Sequence, residues 1–136
     1  MNKMICKKHN LPTVNEAGKM LEKKGFVELV EKRYLQKENN CYKIASTLAE
    51  YFGYQPVKYG EITDLLIRMR AHRLGYEGLH PRFKHRSPVV LVVRTTDNVK
   101  DVHVALEVYG REYNYGATSK DGFTIETHIP LYKKQE

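Results

Sequence analysis

The chain has 136 residues, 41% of them hydrophobic and 29% charged, and carries a formal net charge of +7. That length fits one domain able to bury about two-thirds of its unfolded surface, and no stretch approaches the ~20 apolar residues of a membrane-spanning helix. Internal repeats, low-complexity runs and glycine-rich phosphate loops are absent, which excludes a solenoid, a disordered polyelectrolyte and a P-loop nucleotide site.

Residues 1–12 show no periodicity. Their lysines precede no apolar core, so no secretory signal is read there. The two cysteines, Cys6 and Cys41, are expected as reduced thiols of a cytoplasmic protein. Cys6-x-x-His9 is half of a ligand spacing without its other half, so neither a metal nor another cofactor is expected. Thr13 with Glu16 predicts a capping box before an apolar stripe of Val14, Ala17 and Leu21, and Gly25 ends that helix. Phe26 to Gln36 fits a helix through Phe26, Leu29, Val30, Arg33 and Tyr34, although its alternation also fits a strand. Residues 1–38 thus read as an N-terminal helical segment of a single domain spanning 1–136, with a core over 39–130 and a polar tail over 131–136.

Asn39 and Asn40 are good N-cap types. From Cys41 the apolar residues Ile44, Ala45, Leu48, Ala49 and Phe52 follow helical spacing, and Gly53 suits a left-handed C′ position. A short strand is expected at Gln55–Tyr59 and a third helix from Glu61 to Leu74, with Ile62, Leu65, Leu66 and Met69 inward and Gly75 as its stop. Residues 75–88 form a long loop, and loops of that length often carry function. Basic residues concentrate around it: Arg68, Arg70, Arg73, Arg82, Lys84 and Arg86, joined by three histidines against Glu77 alone. This surface suits an anionic partner, nucleic acid or an acidic protein, if it is more than a solvated basic face.

Strands are predicted at Val89–Arg94, Val99–Tyr109, Glu112–Ala117 and Phe123–His128, with turns at Thr96-Asp97-Asn98 and Lys120-Asp121-Gly122. Helices first and an antiparallel meander last mean α+β. Within the second strand Val102, Val104, Leu106 and Val108 alternate with His103, Ala105 and Glu107, so His103 faces away from the valines, beside a small residue that leaves room. A two-residue Gly110-Arg111 turn sets Asn114 against Glu107 and His103 against Thr118.

Cys41 at a helix N-terminus and His103 on a strand suit a nucleophile and its base. The dipole favours a thiolate there, and a histidine is its usual partner. The bland alternatives are an inert buried cysteine and a strand histidine bonded at the surface. NNCYKIASTLAEYFGYQPV and HVALEVYGREYNYGAT resemble the nucleophile helix and the His strand of transglutaminase-like cysteine enzymes. The wider papain-like class, with NlpC-type peptidoglycan peptidases, shares this order. The resemblance spans residues 39–118 and implies a papain/transglutaminase-like fold with a Cys41–His103 active site. Such families place an acid where this chain has Gly116. Asn114, on the same face, resembles the papain-type third member and would orient the imidazole through Nδ1 if a longer loop or a bulge shifts the register. Thr118 and Asp121 are the other candidates.

The expected activity is amide hydrolysis or acyl transfer on a protein, peptide or peptidoglycan-type substrate, as a thiol protease or amidase would perform it. The Cys41 backbone N–H and a side chain from Gln36, Asn39 or Asn40 would meet the oxyanion. The rival reading is a non-enzymatic binding protein of the same fold, using the Arg68–Arg86 surface.

Overall fold

The structure, a computed structural model, describes residues 10–72, 85–98, 101–116 and 122–135. It is α+β: helix α1 (Val14–Lys23), hairpin strands β1 (Val27–Val30) and β2 (Arg33–Gln36), helices α2 (Cys41–Tyr51) and α3 (Tyr59–His72), then strands β3 (Val89–Thr95), β4 (Val102–Val108), β5 (Arg111–Tyr113) and β6 (Thr124–Pro130). Among the described residues no helix is long and apolar enough to cross a membrane.

Local chemistry sets both ends of the first helix. The Thr13 side chain accepts from the Glu16 N–H and the Glu16 carboxylate accepts from the Thr13 N–H, the reciprocal capping box. At its C-terminus Gly25 takes φ +82 while the Phe26 N–H reaches back to the Leu21 carbonyl. Helix α2 ends the same way, with Gly53 at φ +86 and the Tyr54 N–H on the Ala49 carbonyl, a Schellman closure in each case.

The expectation of a helix over Phe26–Gln36 is overturned. The segment is an antiparallel hairpin with Val27 opposite Gln36 and Val30 opposite Arg33. Glu31 and Lys32 form its two-residue turn with φ of 47 and 68, a primed turn whose twist matches the strands. The expected strand at Gln55–Tyr59 is also absent. Tyr54 makes one isolated bridge to Lys133, the Gln55 N–H bonds the Tyr132 carbonyl, and Tyr59 already begins α3.

The four-stranded sheet has the order β5-β4-β3-β6, antiparallel throughout. The expected meander holds for β3, β4 and β5, but β6 returns to the outer edge of β3, a Greek-key order. There it finds a seven-residue edge to pair with, whereas β5 is only three residues long. A register shift between Val93 and Arg94 bulges β6 at Glu126. The tail is less loose than its polarity suggests. Leu131 is buried, its N–H bonds the Val89 carbonyl, and the Lys134 N–H bonds the Gly53 carbonyl.

The core lies between α2 and one face of this sheet. Ile44, Ala45, Leu48 and Ala49 of α2 meet Leu91, Val93, Val104, Leu106 and Val108, with Ile62, Leu65 and Leu66 of α3, Leu21 of α1 and Ile129 completing the cluster. This packing sets the N-terminus of α2 against the start of β4.

Candidate active site

Cys41 opens α2 and is partly buried against the core. Asn40 is the N-cap residue, yet its side chain makes no capping hydrogen bond and no acidic residue occupies the first turn. The expected role of Asn40 as a side-chain cap therefore fails: its backbone sits at φ −95, ψ 7, not in the extended region from which a cap side chain folds back. The positive end of the helix keeps its pull on the sulfur beside it.

His103, second residue of β4, lies near enough to Cys41 for each side chain to shift the other's titration. Its Nε2 lies 2.8 Å from Oδ1 of Asn114. The same oxygen accepts the Gly116 N–H at 3.1 Å. A backbone N–H only donates, so it fixes which end of the Asn114 amide faces the ring, and Nε2 must then carry the proton. That leaves Nδ1 as the nitrogen for the thiol. Asn114 thus holds Nε2 and not the Nδ1 that the papain-type resemblance implies.

The register explains how Asn114 arrives. The turn is Tyr109-Gly110, not Gly110-Arg111: φ is 47 and 85, and Val108 pairs with Arg111. Both central residues thus take the left-handed region that a primed turn needs. Glu107 consequently faces Glu112, and the same register carried on sets Ala105 against Asn114 and His103 against Gly116. No bulge or longer loop is needed. A Cβ built on Gly116 would stand 3.7 Å from His103 Nε2, so Gly116 is the position facing the ring, and Asn114 reaches it diagonally.

The electrostatics of the pair run against each other and then toward charge separation. Burial pushes the Cys41 thiol up, but hydrogen bonds from His103 and the Val104 N–H, the attraction of the imidazole charge and the Tyr42 N–H outweigh it; the net shift is downward. Burial pushes His103 down, but its bonds to Cys41 and Asn114 and the thiolate charge prevail over burial and the Arg94 guanidinium; the net shift is upward. A lowered thiol beside a raised imidazole favours thiolate and imidazolium.

Among the oxyanion candidates, Gln36 ends β2, and its backbone N–H bonds the carbonyl of Tyr115, the residue after Asn114, at 2.6 Å. Its side-chain nitrogen donates to the Glu38 carbonyl at 3.3 Å. The candidate polyanion residues are not assembled by the described part of the fold. Arg68 is exposed and paired with Asp64 on its own helix at 3.2 Å, and Arg86 is exposed ahead of β3. The Arg70 side chain and Arg73, Arg82 and Lys84 lie outside the described residues, as do Cys6, His9, Thr118, Asp121 and most of the 75–88 loop.

Three neighbours escaped the sequence reading. The Phe123 ring meets His103 edge-on, centroids 6.5 Å apart. Arg94 stands opposite His103 across β3 and β4 and binds Glu112 on β5. Alternation placed Arg94 and Glu112 on strands, but only the strand order shows that they share the His103 face. No family model, curated protein or solved structure matches the chain.

Proposed function

We propose that this protein is a small cysteine hydrolase or acyltransferase of papain/transglutaminase-like arrangement, acting on an amide bond of a protein, peptide or peptidoglycan-type substrate. The observation that carries the reading is the ordered series Cys41, His103, Asn114, in which a backbone N–H fixes the amide and the amide fixes the ring.

Each group has one task. The Cys41 thiolate attacks the substrate carbonyl carbon, forming the C–S bond as the carbonyl π electrons move to oxygen. The helix N-terminal N–H of Cys41 would meet that oxyanion, and Gln36, whose side chain now donates to the Glu38 carbonyl, would have to turn toward Cys41 to serve as the second donor. As the C–N bond breaks, imidazolium Nδ1–H passes its proton to the leaving amine. Neutral His103 then takes a proton from water, or from a second amine, which attacks the thioester and frees Cys41. Asn114 holds the ring throughout by accepting from Nε2–H, as the third member of a Cys–His–Asn set does.

The test is alkylation of the native chain with iodoacetamide at neutral pH. Cys41 should react much faster than Cys6, and His103→Ala should remove the difference. Equal, slow labelling of both thiols sinks the enzyme reading.

A further inference from the structure

We propose that the Arg94–Glu112 ion pair is a positioning device for the Cys41–His103 pair, pinning the Asn114 segment to the sheet and setting a guanidinium beside the imidazole. The inference rests on the catalytic reading of those residues and adds two side chains that do not touch the reacting atoms.

Strand β5 is a short edge. Its three register pairs with β4 are its whole ladder, and the chain leaves strand geometry at Asn114. Its two faces are held by different means. On one face Arg111 donates to the Leu11 and Pro12 carbonyls, the Tyr113 hydroxyl to the Pro12 carbonyl, and the Tyr115 hydroxyl to the Val14 carbonyl. These tie the odd-numbered residues to the start of α1. The even-numbered residues, Glu112 and Asn114, lie on the His103 face. There Arg94 ties Glu112 to the rest of the sheet.

That tie is a two-point fork. Nη1 meets Oε2 at 2.5 Å and Nη2 meets Oε1 at 3.2 Å. The side chains keep only 22% and 28% of their surface exposed, so the pair is more than a solvated surface contact, and fork geometry restricts direction as well as distance. The register also shows its path. Arg94 faces His103 and Glu112 faces Glu107, so the bridge crosses β4 over Ala105, which is buried. The room beside His103 that the small Ala105 leaves is filled by this ion pair. A larger side chain at 105 would lift it.

The charges facing the ring come from each packed element. Cys41 faces it from α2, Arg94 from β3, and Asn114 and Phe123 add a dipole and an uncharged ring edge. Asp101, two residues ahead on the chain, accepts from the Thr96 hydroxyl. Arg94 opposes the imidazolium, and Glu112 offsets Arg94. Deleting Arg94 therefore removes the charge that opposes the imidazolium, deleting Glu112 leaves Arg94 uncompensated, and the two deletions act with opposite sign.

The experiment is 15N NMR of the His103 ring in the full chain, comparing wild type with R94M, E112Q and the charge-free pair R94M/E112L. In wild type the neutral ring should be the Nε2–H tautomer. Both single variants should admit the Nδ1–H tautomer. The ring's titration midpoint should fall in E112Q and rise in R94M. The double variant, which leaves no buried unpaired charge and so guards against failure to fold, should show the mixed tautomer with a midpoint between those of the singles. A wild-type tautomer and midpoint in every folded variant overturns the inference while leaving the catalytic reading intact. Slow, equal labelling of Cys41 and Cys6 in wild type removes the catalytic reading instead, whatever the ring shows.

Discussion

Asn114 Oδ1 and His103 Nε2 lie 2.8 Å apart, and the Gly116 N–H shares the same oxygen at 3.1 Å. The amide is thus held before any substrate arrives, and the ring with it. Asn114→Ala removes a hydrogen bond to a charged ring, worth about 1.5–3 kcal/mol, and should lower kcat/KM on an amide substrate by roughly one to two orders of magnitude. Asn114→Asp should restore part of the loss, since a carboxylate accepts from Nε2–H equally well. Steady-state kinetics of the two variants check this.

The pH dependence follows from the two opposite shifts. Acylation needs thiolate, so it is lost as pH falls through the lowered thiol value. It also needs imidazolium, so it is lost as pH rises through the raised His103 value. The two displacements widen the window between the limbs, and the pair titrates as a unit. In His103→Ala the thiol keeps its burial and loses its partner. Iodoacetamide alkylation of Cys41 should then slow about tenfold at neutral pH, with its rise moved to higher pH. An unmoved alkylation profile would contradict the pairing.

Gly116 offers a direct probe of the register. An added Cβ meets Asn114 Oδ1 at 3.5 Å and the His103 ring at 3.7 Å, ordinary contact distances, so Gly116→Ala should fold and keep most of its activity. In an Asn114→Ala background, Gly116→Asp should recover at least several-fold of the lost rate, because its carboxylate starts at the position facing Nε2. A double variant no better than Asn114→Ala alone would mean that the chain turns away from the ring after Asn114.

Tyr109 bears a cost unrelated to chemistry. It sits at φ 47 in the β4–β5 turn and is partly exposed. A bulky residue there is strained, whereas asparagine before glycine is the favoured pair for such a turn. Tyr109→Asn should raise stability by about 0.5–1 kcal/mol in urea unfolding, with Cys41 reactivity unchanged.

How much of this was legible in the sequence depends on how local the determining chemistry is. The capping box at Thr13, the glycine stops at Gly25 and Gly53 and the apolar stripe of α2 are written within a few residues, and the fold keeps them. Both misread hairpins share one cause. Glu31-Lys32 and Tyr109-Gly110 are primed turns whose first residue is not glycine or asparagine, so nothing in the composition marks the first and the second is displaced by one residue. That single step moved Asn114 from Glu107 to the diagonal of His103. The pairing of Arg94 with Glu112 depends on strand order, which alternation does not encode.

The tie between Gln36 and Tyr115, with Cys41 and His103 about sixty residues apart, also bears on how the chain comes together. His103 and Asn114 share one hairpin, but Cys41 meets His103 only across a long loop closure, so the perturbed thiol cannot exist in an isolated α2 or an early helical intermediate. Cys41 becomes a clock for folding. A brief pulse of alkylating reagent during refolding would report the moment at which β4 docks on α2.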